Sequence, residues 1–94
     1  MDKWESIGDG EEIAMMLDDR ARFIGLYHKH VAKDHGGECI GSIFFELEWV
    51  KSDPKYAGTP TWMIEQWEPL TVSPSLLCSC GHHGFIRNGR WITA

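Results

Sequence analysis

The 94-residue chain holds no apolar run of the roughly 20 residues that a helix needs to cross a bilayer, so no membrane-spanning helix is expected. Basic residues are few: nine Lys and Arg stand against fourteen Asp and Glu, for a net charge of −5. A chain so acidic is poorly suited to non-specific DNA binding, which needs a basic surface to meet phosphates. Cysteine is scarce and odd in number, at three residues, which argues against a disulfide framework. The opening MDKWESIGDGEE is polar and acidic and lacks the apolar stretch of a signal peptide. A reduced, cytoplasmic setting is therefore expected. Internal repeats and low-complexity tracts are also missing. The length allows one domain, whose thin core buries only about 60–65% of the unfolded surface. Domains of this size often need a metal, a disulfide or a partner for stability.

The chain does contain five tryptophans, which can supply core area that a short sequence otherwise lacks. Its charge is also lopsided. Residues 1–19 carry seven acids (Asp2, Glu5, Asp9, Glu11, Glu12, Asp18 and Asp19) against Lys3, a sum of −6 that leaves +1 for the remainder. That acidic end suits either a solvated face or contact with a basic partner surface.

Local patterns suggest a mixed fold. Residues 9–19, DGEEIAMMLDD, read as a short helix. Asp9 is placed to cap it, Glu12 completes a capping box, and Ile13, Met16 and Leu17 fall on one helical face. From residue 21 the period changes to two. Ile24, Leu26, His28 and His30 share one face of a strand over 21–31, and Phe23, Tyr27 and Val31 share the other. After a turn-rich loop, residues 39–49 form a second strand, placed to pair antiparallel with the first. A loop over 50–60 leads to a third strand starting at Thr61. The LTVS stretch between Pro69 and Pro74 suits an edge. Asn88-Gly89 then marks a two-residue hairpin turn that pairs Arg87 with Arg90, Ile86 with Trp91, and Phe85 with Ile92.

Just before that hairpin, Cys78, Cys80, His82 and His83 crowd into six positions. Thiolate and imidazole are the donors zinc prefers in a closed, four-coordinate structural site. Cys80 and His83 have the C-x-x-H spacing of a metal knuckle, with Gly81 and Gly84 freeing its backbone. One knuckle supplies two ligands. The rest must come from His28, His30, His35 and Cys39, and His28 or His30 with Cys39 completes a two-cysteine, two-histidine set. Cys78 is the competing sulfur. One structural zinc would tie the strand pair to the hairpin and supply about 10 kcal/mol or more of folding free energy.

The stretch from Pro69 to Trp91 resembles the ending P-L-T-x-S-P-S-[LV]-L-C-x-C-G-x-H-G-F-I-x-x-G-x-W of a family of short proteins from actinobacterial phages and prophages. Tyr27-His28 and Cys39-Ile40-Gly41-Ser42 are similar to upstream motifs of that family, with Tyr in place of its Trp. The likeness covers about two-thirds of the chain and leaves the first twenty residues outside. It implies His28, Cys39, Cys80 and His83 as the metal ligands, with Cys78 in reserve; His30 remains the alternative to His28 from the strand pattern. It also implies a phage origin and the cytoplasm of a bacterial host. It implies no reaction.

The expected architecture is thus a single α+β domain over residues 1–94. An acidic helical segment over 1–20 precedes a β-rich, metal-stapled core over 21–94 that ends in a zinc-knuckle hairpin. The expected function is a non-enzymatic accessory protein that binds a host or phage protein through its acidic end or exposed aromatics. Two alternatives have their own residues. A nucleic-acid module would use Arg87 and Arg90 at the hairpin tip with Lys29 and Lys33. A small metal-dependent hydrolase would need an open metal position and a base such as Glu38.

Overall fold

The computed structural model describes residues 3–94. Met1 and Asp2, the latter one of the seven N-terminal acids, lie outside the described residues. Two antiparallel hairpins open the chain: β1 (Glu5–Gly8), β2 (Glu11–Leu17), β3 (Phe23–Val31) and β4 (Glu38–Phe45). One helical turn, α1 (Glu48–Lys51), and a 3-10 turn over Pro54–Tyr56 cross to β5 (Thr61–Trp67) and β6 (Leu70–Ser73). These six strands form one curled sheet in chain order. Every pairing in it is antiparallel except β4 with β5, which the helical crossover makes parallel. A smaller sheet follows, of β7 (Leu76–Leu77), β8 (His83–Arg87) and β9 (Arg90–Thr93).

The fold is therefore nearly all β rather than α+β, and the helix expected over residues 9–19 is a β-hairpin. The cause lies in its first residues. Gly8, Asp9 and Gly10 all take positive φ, at 97°, 54° and 78°. Three successive left-handed residues reverse the chain and put Asp9 in a turn, where it caps nothing. The helix-like apolar spacing has a second origin. Ile13 packs in the main core, whereas Met16 joins a separate cluster with Ile24 and Val50. A strand buried on both faces produces i, i+3 apolar spacing without any helical turn. Leu17, the third residue of the supposed helical face, is exposed.

The second strand also ends sooner than its apolar run suggests. Chain pairing stops at Phe45, and Glu48–Lys51 turns helical, with the Trp49 indole N–H donating to the Phe23 carbonyl at 2.8 Å. The hairpin at Asn88-Gly89 has the expected register, with both turn residues at positive φ. Ile7, Ile13, Leu26, Ile43, Phe45 and Val72 of the large sheet meet Leu76, Ile86 and Trp91 of the small one in a shared core. This layering brings the inner face of β3 against the turn between β7 and β8. Among the described residues, no helix is long and apolar enough to cross a membrane.

Candidate metal centre

On β3 the period of two turns Leu26, His28 and His30 inward, and both imidazoles are buried. Cys39, the second residue of β4, lies directly opposite His30. The link between β7 and β8 is a tight turn. The Cys78 N–H donates to the His82 carbonyl, the Gly81 N–H donates to the Cys78 carbonyl, and Gly81 takes a φ of 96°. That turn points Cys78 and Cys80 at the end of β3.

The result is one compact donor set. The ligand atoms of His30, Cys39, Cys78 and Cys80 all lie within 4.8 Å of one another. Cys39 Sγ is 3.4 Å from Cys78 Sγ, and His30 Nε2 is 3.4 Å from Cys80 Sγ. Tetrahedral zinc, with bonds of about 2.3 Å to sulfur and about 2.0–2.1 Å to nitrogen, requires edges of about 3.6–3.8 Å. The two measured edges are a few tenths of an ångström short of that, so these four side chains can hold a metal ion with little rearrangement.

The electrostatics favour a cation. Backbone N–H groups of Lys33 and His82 point at the Cys80 sulfur, and the Lys33 contact is the main reason its thiol ionises below the usual range. Such amide–sulfur bonds stabilise a thiolate before any metal arrives. Cys39 is pushed the other way, up to about 12, chiefly by its hydrogen bond with Cys78 and then by burial. Three sulfurs this close cannot all carry charge unaided.

A second group adjoins the first. Glu11, His28, His30 and His82 also bring their donor atoms within 4.8 Å of one another. Without an ion, the Glu11 carboxylate accepts from two rings: His28 Nε2 at 2.6 Å on Oε1 and His82 Nε2 at 2.9 Å on Oε2. Glu11 and His28 are only 5% and 4% exposed. Burial raises the Glu11 pKa, while contact with His82 partly offsets that rise. Burial, then the neighbouring His30 and His82, lower His28 to about 4, and burial likewise lowers His30. Trp91 backs the group, its ring stacked 5.0 Å from His82 and tilted 4.8 Å from His28.

The named candidates thus separate. Cys39 and Cys80 join the sulfur-rich set, together with Cys78 and His30. His28 belongs to the carboxylate–imidazole group. His83 belongs to neither: its Nε2 shares a 2.8 Å hydrogen bond with Ser75 Oγ, and its ring lies beside Phe85. His35 is exposed next to Asp34. Glu11 and His82 are additions: Glu11 falls in the segment that resembles a helix, and His82 is absent from the expected ligand set. For His82 a signal existed. It shares strand parity with Gly84 and Ile86, which face inward, whereas His83 shares parity with Phe85 and Arg87. Compared with protein-family models, curated proteins and solved structures, the chain shows no match. The site is accordingly read from its own geometry.

Proposed function

We propose that this chain is a small phage-type accessory protein, stapled by one structural zinc on His30, Cys39, Cys78 and Cys80, which acts by binding another protein in the host cytoplasm. The observation that carries the zinc is the donor set itself. Three sulfurs and one imidazole with near-tetrahedral edges form a soft, closed site of the kind zinc occupies for structure rather than catalysis.

A protein partner is supported by an exposed groove along the large sheet. Met15, Leu17, Tyr27 and Ile40 are exposed across β2, β3 and β4, and with Trp4 they line a shallow groove. Glu5 stands on β1, Glu12 on β2 and Glu38 on β4. The matching partner is an apolar surface rimmed by basic side chains. Nucleic acid has less support. Lys29 lies 3.4 Å from Glu12 and 3.7 Å from Glu38, and the net charge of −5 opposes phosphate contact.

Elemental analysis with native mass spectrometry tests the zinc, beside cobalt substitution read by thiolate-to-cobalt absorption. Wild type is expected to carry zinc and, as the cobalt form, to show the thiolate band, which Cys80→Ser loses. Untouched stability on chelation, with no thiolate band, removes the proposal. For the partner, capture from host lysate is expected to vanish in Ile40→Glu. Capture that survives this change would move the interface elsewhere.

A further inference from the structure

We propose that Glu11, His28 and His82 form a second metal site, distinct from the sulfur-rich one, which binds a divalent transition-metal ion and keeps a coordination position open to the cavity between the sheets.

Three observations converge on it. The first is the donor arrangement. Two imidazole nitrogens approach the two oxygens of one carboxylate at 2.6 and 2.9 Å. An ion with bonds of about 2.0–2.1 Å to nitrogen and oxygen needs donor edges of about 3.3 Å, so each contact must open by less than an ångström. The second is an orphan. His30 is 3% exposed, its Nε2 is engaged by Cys80, and its Nδ1 is buried with no hydrogen-bond partner among the described residues. Its ring lies 4.3 Å from that of His82 and 4.6 Å from that of His28. Leaving such a buried group unpartnered is destabilising. A water bound to an ion in this group would supply the missing acceptor. The third is access. A cavity of about 230 Å³ is lined by His28, His30 and His82 along with Cys39 and Cys78, so both donor groups open on one space.

The chemistry of the donors selects the ion. Two imidazoles and a carboxylate suit zinc, cobalt, nickel or iron, whereas magnesium and calcium want oxygen throughout. Three protein ligands leave a position for solvent, unlike the closed sulfur site next to it.

The test is a cobalt titration of chelator-stripped, reduced full-length protein, followed by native mass spectrometry and by thiolate-to-cobalt absorption. Wild type is expected to bind two ions, only one of which brings the thiolate band. Glu11→Gln and His82→Ala are each expected to weaken the sulfur-free ion by at least about tenfold and to keep the band. The His82 ring is partly exposed, so His82→Ala carries the test if circular dichroism shows that Glu11→Gln fails to fold. Wild type that saturates at one ion carrying the thiolate band, or variants that keep both ions, overturn the proposal. A sulfur-free ion bound without any thiolate band would instead uphold this site and remove the structural zinc.

Discussion

His83 and Cys78 sit at either end of the knuckle and make opposite contacts. His83 closes a hydrogen bond with Ser75, and Cys78 lies against Cys39. His83→Ala is therefore expected to keep its metal and to lose about 1 kcal/mol of stability. Cys78→Ala is expected to lose most of the thiolate-to-cobalt absorption. Metal loss in the His83 variant would return that residue to the ligand set. A second residue-scale prediction concerns acid. The Asp18 carboxylate accepts from the Arg22 N–H at 2.8 Å, the Arg20 N–H at 2.9 Å and the Arg22 Nε at 2.9 Å. The Arg22 amide is the main reason its pKa falls below the ordinary 3.8. A depressed carboxylate stabilises the fold above its unfolded pKa, and that contribution is lost as pH falls through the lower folded value. Urea midpoints of wild type and Asp18→Asn should therefore differ at neutral pH and converge below about pH 4. A gap independent of pH would show that the charge contributes nothing.

At the scale of elements, the small sheet depends on a close approach. A Cβ on Gly84 would lie 2.2 Å from Trp91 Cζ2 and 2.6 Å from the Ile92 carbonyl oxygen. Trp91 is wedged against His28 and His82, so its ring cannot retreat without disturbing them. Gly84→Ala is expected to cost about 1–3 kcal/mol or more. Gly41→Ala, where a Cβ meets nothing within 4 Å, is expected to stay within about 0.5 kcal/mol of wild type. Equal unfolding midpoints for the two variants would contradict this packing. Such contacts also explain which parts of the molecule the sequence could disclose. The hairpin at Asn88-Gly89 was legible because its turn is local: two residues demand positive φ and the register follows. The inward face of β3 was legible from alternation, since Leu26, His28 and His30 are all buried. The first hairpin was not. Its acids imitate a capped helix, and its apolar spacing comes from burial on two faces, a property of the neighbours rather than of the segment. The same misreading hid Glu11, whose partners lie 17 and 71 residues away. Among the candidate ligands, the sulfurs and the general place of β3 could be foreseen. The choice of His30 over His28, and of His82 over His83 beside them, depended on which strand faces meet across two sheets.

For the whole molecule, the sulfur-rich cluster joins residues of both sheets, and an ion bound there would cross-link them. His30 and Cys39 belong to the large sheet, and Cys78 and Cys80 to the turn of the small one, at separations of 39 and 50 residues for the two close contacts. Closing a loop of that size removes about 4 kcal/mol of unfolded-state entropy in the chain-entropy model. An ion would add its binding free energy to a core that is thin on its own. Chelation should therefore lower the unfolding midpoint steeply and free the small sheet first, read as lost amide protection over β8 and β9. The same geometry gives the apoprotein a second way to close the link. Cys39 Sγ and Cys78 Sγ are 3.4 Å apart, and a disulfide needs about 2.05 Å, a movement of little more than one ångström. Chelated protein treated with oxidised glutathione should form a Cys39–Cys78 bond. Both thiol protons are released, two electrons pass to the glutathione disulfide, and Cys80 is left as the free thiol. The zinc-loaded protein should resist, because its sulfurs are committed to the ion. Peptide mapping with thiol alkylation distinguishes the outcomes. A Cys39–Cys78 bond confined to the apoprotein, with part of the lost stability restored, supports a sheet-to-sheet staple. A Cys78–Cys80 bond, or equal oxidation with and without zinc, would mean that Cys39 does not lie in this cluster in solution.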